Sequence, residues 1–232
     1  MNNLNKFILS TSLIKKAFTA GNSVITGTPI NNYAPKATPV PVAKPVAPVK
    51  RAPVAAVSKP KPSTSSFSAY KPILDVIRRG EANVAGYDTM VGSNKPFGLT
   101  KKTLQQVLDI QAQRLKDYGG TAAGGYQILQ KNLKDLAAKH KHDLNKTLFD
   151  QATQDTYARS LMDRRGFQDY LKGKINADQM RINLAKEWAA LPAQGERSYY
   201  EGKGTNKARV SSKDINAAIA KSLQLHRQAV KP

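Results

Sequence analysis

The chain has 232 residues, a formal net charge of +21 and no cysteine. This length holds one domain of ordinary size plus a tail, and the missing thiols exclude disulfides and thiolate metal sites. The basic excess implies a polyanionic partner, either nucleic acid or an anionic bacterial wall, and no run of 18 apolar residues offers a transmembrane helix.

Residues 1–22 come first. Phe7, Ile8, Leu9, Leu13, Ile14, Ala17 and Phe18 make an apolar set at helical spacing, so a short amphipathic helix is expected over 6–18. So short a helix is marginal in water and needs a partner surface. The apolar run is brief and cut off by Lys15 and Lys16, which argues against a cleaved secretory signal. An anchor docked on a protein is expected, with a membrane-surface helix as the rival.

Residues 23–68 follow as a linker. Nine of the 13 prolines lie between Pro29 and Pro62. Proline fixes φ and removes a backbone donor, so the tract reads as a semi-rigid spacer. Thirty such residues reach on the order of 90 Å when extended. Residues 1–69 also contain nine Lys/Arg and no acid.

Residues 69–232 are expected to form one domain. Pro72 suits a first helical turn, and Ile73, Leu74, Val76 and Ile77 make the apolar face of a helix ending near Arg79. That helix delivers one carboxylate, Glu81, just past Gly80. Residues 84–99 carry Tyr87, Thr89, Val91 and Phe97 between glycines, which predicts one or two short antiparallel strands. Thr100 is expected to cap a helix whose apolar face is Leu104, Val107, Leu108, Gln111 and Leu115, stopped by Gly119 and Gly120. Gly124 to Leu129 reads as a last short strand or extended segment.

The remainder reads as helical. Leu133, Leu136 and Ala137 face inward on one helix, with His140 and His142 expected to point apart at its surface. Thr153 is expected to cap a helix carrying Ala158, Leu161 and Met162 and ending at Gly166. Asn176 and Gln179 resemble a capping box before a helix with Met180, Leu184, Trp188 and Leu191 on one face, ended by Pro192. A loop with Tyr199 and Tyr200 precedes a final helix from Ser212 with Ile215, Ile219 and Leu223. The fold class is therefore α+β, mostly helical, with a small antiparallel sheet beside a cleft.

Glu81 is the candidate for chemistry. A carboxyl at the end of an apolar helix, before a glycine-rich turn, can be partly desolvated, and desolvation raises its pKa. A raised carboxyl can protonate a glycosidic oxygen near neutral pH. The bland alternative is a solvated helix-end residue.

Four segments weigh against the bland alternative: Arg79-Gly80-Glu81-Ala82, Gly86 through Gly92 (GYDTMVG), Ala123 through Leu129 (AGGYQIL) and Trp188-Ala189-Ala190-Leu191-Pro192. In this order, over about residues 70–207, they resemble the phage lambda type of lysozyme, a lytic transglycosylase acting on peptidoglycan, and related phage muramidase domains. The resemblance implies a lysozyme-like fold with Glu81 as catalytic acid and base, no metal and no cofactor. It implies attack by the substrate's own 6-hydroxyl, with no second carboxylate. Gly125 departs from the pattern, since relatives often carry Arg there.

Tyr126 and Gln127 are expected to floor the cleft, with Asp88 and Tyr199 as further candidates for substrate contact. Each has a structural reading beside this one: a buried segment for Tyr126 and Gln127, and a turn carboxylate for Asp88. Trp188 reads as core.

Peptidoglycan is the expected substrate, and a virion or tail protein is the expected partner of residues 1–22. The enzyme would then ride in the particle and act at the bacterial wall. The charge alone would suit a DNA-associated virion protein, but no helix-turn-helix or aromatic–basic interleaving accompanies it. A hydrolytic endolysin acting at lysis and an inactive structural domain are the other readings.

Overall fold

The computed structural model describes residues 67–203 and 206–231. The expected anchor helix and the linker up to residue 66 lie outside the described residues. Seven α-helices and one two-stranded hairpin follow: α1 (Lys71–Glu81), α2 (Leu104–Tyr118), α3 (Gln130–His140), α4 (Gln151–Arg164), α5 (Phe167–Leu171), α6 (Ala177–Ala185), β1 (Pro192–Gln194), β2 (Arg197–Ser198) and α7 (Ser212–Ala229). Short 3-10 helices occupy Gly86–Asp88 and Leu99–Lys101. The mostly helical class with a small antiparallel sheet is as expected. None of the described helices is long and apolar enough to cross a membrane.

α1 carries Pro72 in its first turn and buries Ile73, Leu74, Val76 and Ile77. Burying such side chains contributes about 1.5–3 kcal/mol each. The helix continues through Gly80 to Glu81, two residues further than the apolar pattern predicts. Gly80 makes this possible by close approach: a Cβ there would stand 2.6 Å from Val210 Cγ2 and 3.0 Å from the Ala190 Cβ. α7 packs on α1 and α6. At the other end of α1, the Tyr70 hydroxyl donates to Asp163 Oδ1 at 2.8 Å, and its ring lies 4.6 Å from that of Phe167.

The sheet is not where the sequence suggests. Residues 84–99 make a 3-10 turn and a single bridge, Met90 to Ala123, and Gly124 to Leu129 contributes only the bridge Ala123 to Ile128. Gly86, Gly92 and Gly98 adopt positive φ, which turns the backbone before a strand can extend. The paired strands are β1 and β2, with Pro192 opposite Ser198.

Several helix ends also differ. Thr103, not Thr100, caps α2, in a full capping box with Gln106. Asp150, not Thr153, caps α4, accepting from the Thr153 amide at 2.8 Å. Asn176 caps α6 by accepting from the Gln179 amide, as expected, but that helix ends at Ala185, and Trp188 sits in the turn beyond it. On α2, Leu115 is 49% exposed and Arg114 is buried in its place. Arg114 donates through Nε to the Val91 carbonyl at 3.0 Å and stacks 3.5 Å from the Tyr118 ring centroid. His140 and His142 do not point apart: Lys141 takes φ +55° and ends α3, and the two imidazoles lie 5.6 Å apart against Tyr157.

Candidate active site

Glu81 is the last residue of α1. One of its carboxylate oxygens, Oε1, accepts the Ala190 N–H at 2.9 Å. The Ala190 carbonyl in turn accepts the amides of Arg209 at 2.9 Å and Val210 at 3.1 Å. Arg209 also donates through Nη1 to the Gly80 carbonyl at 3.1 Å, capping the helix end. The residue keeps some solvent contact, but protein closely surrounds its carboxyl group. Burial pushes its pKa above the usual carboxyl range, and the Ala190 N–H and the Arg209 charge offset only part of that rise. A raised carboxyl held by one backbone donor has what a general acid requires.

Tyr126 belongs to another hydrogen-bond network. It is buried, and its hydroxyl donates to Asp155 Oδ1 at 2.6 Å. Tyr87 donates to the same oxygen at 2.8 Å and receives a bond from Arg78 Nη1. Burial and the Asp155 carboxylate hold the Tyr126 phenol far above its ordinary range, so it stays a proton donor. A cavity of about 380 Å³ opens over this network and along α1, lined by Lys71, Asp75, Arg78, Tyr87 and Arg159. Gly125 fits there without room to spare, since a Cβ would come within 3.2 Å of the Arg78 and Tyr87 side chains.

Gln127 has φ +47°, a left-handed conformation uncommon for a side-chain-bearing residue. Its Nε2 donates back to the Gly124 carbonyl at 2.8 Å. A second cavity, of about 260 Å³, is lined by Gln127, Arg164, Arg165, Lys186 and Tyr200. Trp188 is core, as expected, and its Nε1–H donates to the Tyr126 carbonyl at 3.1 Å. Tyr126 borders both cavities.

Asp88 and Tyr199 stand differently. The Asp88 carboxylate accepts the Thr100 amide at 2.7 Å and the Thr100 hydroxyl at 3.3 Å, which ties the 88–100 loop together. Tyr199 is exposed and meets Tyr200 edge to face at 5.2 Å. Among the described residues, none of Asp88, Tyr126, Gln127 and Tyr199 hydrogen-bonds to Glu81.

Arg209, Asp155, Arg164, Arg165 and Lys186 were not singled out by sequence reasoning. Each looks like one more charge on a solvated face. The adjacent Arg164-Arg165 and Lys186-Glu187 pairs were a signal, since they put three cations and one carboxylate at two helix ends.

A family model described as Endolysin matches residues 73–214. The matched span runs from α1 into α7 and includes Glu81, Tyr126, Gln127, Ala190 and Arg209. No curated protein matches the chain.

Proposed function

The chain belongs to the endolysin family, phage enzymes that degrade peptidoglycan, and from that premise we propose that Glu81 is the acid and base of a lytic transglycosylase. The bond cleaved is the β-1,4 link between MurNAc and GlcNAc. The observation that carries this reading is the raised carboxyl of Glu81, held through one oxygen by Ala190. Protonated Glu81 gives its proton to the glycosidic oxygen as the C1–O bond breaks. The resulting carboxylate takes the proton of the MurNAc 6-hydroxyl as that oxygen bonds to C1. A 1,6-anhydro ring closes, no water is consumed, and Glu81 ends as it began.

The commitments of other acids favour this single-carboxylate route over hydrolysis. Asp88 is engaged by Thr100, Asp155 by two tyrosines and Glu187 by two arginines. A hydrolase would need a second carboxylate to act as nucleophile or to activate water. In our reading Gln127 contacts the glycan, Tyr126 is the floor behind it, Tyr199 meets sugar at the rim, and Asp88 shapes the loop beside it. Mass spectrometry of digested muropeptides tests the chemistry. Anhydro-muramic ends are expected; reducing ends carrying solvent oxygen-18 would mean hydrolysis.

We place the enzyme on the particle, as a virion or tail component acting at the bacterial wall. The order of parts supports this: an amphipathic segment, a proline-rich spacer, then the catalytic domain. The family match suits release at lysis equally well, so co-purification with particles decides between them.

A further inference from the structure

We propose that the cavity beside Gln127 is a subsite for carboxylates of the peptide stem attached to the glycan; this rests on the glycan-cleaving reading above. The cavity lies between α3, α4 and the Lys186–Trp188 turn. At its base the Glu187 side chain is only 5% exposed. Arg164 Nη2 donates to Glu187 Oε1 and Arg165 Nε to Oε2, each at 2.8 Å. Asn132 Nδ2 also reaches Oε1, at 3.3 Å.

This triad has a structural purpose, since it fastens the end of α4 to the turn after α6, and a buried carboxylate must be paired. That purpose accounts for Glu187, for Arg165, whose Nη2 also donates to the Lys186 carbonyl at 3.0 Å, and for part of Arg164, whose Nη1 and Nη2 also donate to Asn132 Oδ1 at 3.3 Å. It does not account for the open volume or for Lys186. Among the described residues no carboxylate pairs with Lys186, whose ammonium lies 5.7 Å from the exposed Tyr199 ring. Three cations against one carboxylate leave the lining with an excess of two positive charges.

The remaining donors suit a planar anion. A guanidinium presents five N–H groups; Arg164 commits three to Asn132 and Glu187 and keeps 46% of its side chain exposed, which leaves two for a ligand. Arg–carboxylate pairing is the geometry this fork matches. The left-handed Gln127 at the wall is a strained position of the kind retained at ligand clamps. Location ties the cavity to the reaction. Trp188 lines it, and Ala190, two residues on, donates to Glu81. The anions covalently attached to a strand held at Glu81 are the free carboxylates of its peptide stems.

The test is equilibrium binding to the full-length Glu81→Gln protein, which holds substrate without turning it over. One ligand is a GlcNAc–MurNAc oligomer bearing peptide stems with free carboxylates; the other is the same oligomer with those stem carboxylates converted to amides. The carboxylate-bearing ligand is expected to bind about tenfold more tightly at low salt. Adding Lys186→Gln should reduce that preference several-fold, Lys186→Arg should keep it, and raised salt should shrink it. Equal affinity for the two ligands overturns the subsite while leaving the glycan reading intact. A preference untouched by Lys186→Gln also overturns it. Binding of neither ligand overturns the glycan reading and the subsite together.

Discussion

The Ala190 N–H points at the carboxylate of Glu81 across 2.9 Å, although 109 residues separate them in the chain. One backbone donor stabilises the ionised form, and burial opposes it. Burial wins, so the carboxyl's pKa stands above its usual range.

Glu81→Gln keeps the shape and can still accept the Ala190 N–H, but it has no proton to give. A rate loss of about two to four orders of magnitude on purified peptidoglycan is expected, the range of general acid catalysis. A turbidity assay measures it, and wild-type-like activity would remove Glu81 from the mechanism.

The same substitution should leave the protein at least as stable at neutral pH. Glu81's folded pKa lies above its unfolded one. The folded state therefore binds this proton more tightly, and stability falls as pH rises from the unfolded pKa through the folded one. Gln carries no such loss. Its stabilising effect should vanish below the ordinary carboxyl range, which melting temperatures across pH will show.

Arg209→Gln removes a positive charge that lowers the Glu81 pKa. The acid should then hold its proton to higher pH. The alkaline limb of the kcat profile moves up relative to wild type, and Arg209→Lys restores part of the difference. A limb that stays put or moves down contradicts the role of Arg209.

Gly80→Ala separates helix propensity from packing. In an open helix interior this change stabilises by about 0.5–1 kcal/mol. Here the new Cβ meets Val210 at 2.6 Å and Ala190 at 3.0 Å, so overpacking at roughly 1–3 kcal/mol should outweigh the gain. Lower stability together with lower activity is expected, because Ala190 must move. Urea unfolding and the turbidity assay read the two effects.

A chain shortened to begin at Ser63 should digest purified peptidoglycan about as fast as the full chain and fail to co-purify with particles. The cut belongs before Phe67, because the Arg159 guanidinium stacks 4.3 Å from that ring. Loss of catalysis in solution would mean that the arm does more than tether.

The sequence made the helices legible where apolar spacing and capping agree, as at Ile73 to Ile77 and at Asn176 with Gln179. It misled where two choices satisfy the same period. After Leu104, Val107, Leu108 and Gln111, both 114 and 115 fall on the inner face. Hydropathy favours Leu115, but the Val91 carbonyl needs a donor and the Tyr118 ring offers a face, and Arg114 supplies both needs. Thr103 with Gln106 was readable as a capping box, and Thr100 stands three residues ahead of the true cap. Glu81 itself stood out because it lies in a local motif, Arg79-Gly80-Glu81-Ala82. Arg209 did not, since its bond to Gly80 spans 129 residues and no local pattern encodes it. Lys141 shows the same limit at short range: one left-handed residue is enough to bring two histidines together.

The pairing of Glu81 with Ala190 and Arg209 also sets when the acid comes into existence during synthesis. A ribosome releases α1 early, and for more than a hundred residues afterwards Glu81 has neither the backbone donor nor the neighbours that desolvate it. Until the strand of chain around Val210 folds back over Gly80, the nascent protein carries an ordinary hydrated glutamate. Chains that end before Arg209 and Val210 lack the contacts that close over Gly80 and Glu81, so the desolvated carboxyl is a property of molecules translated into the last quarter of the domain.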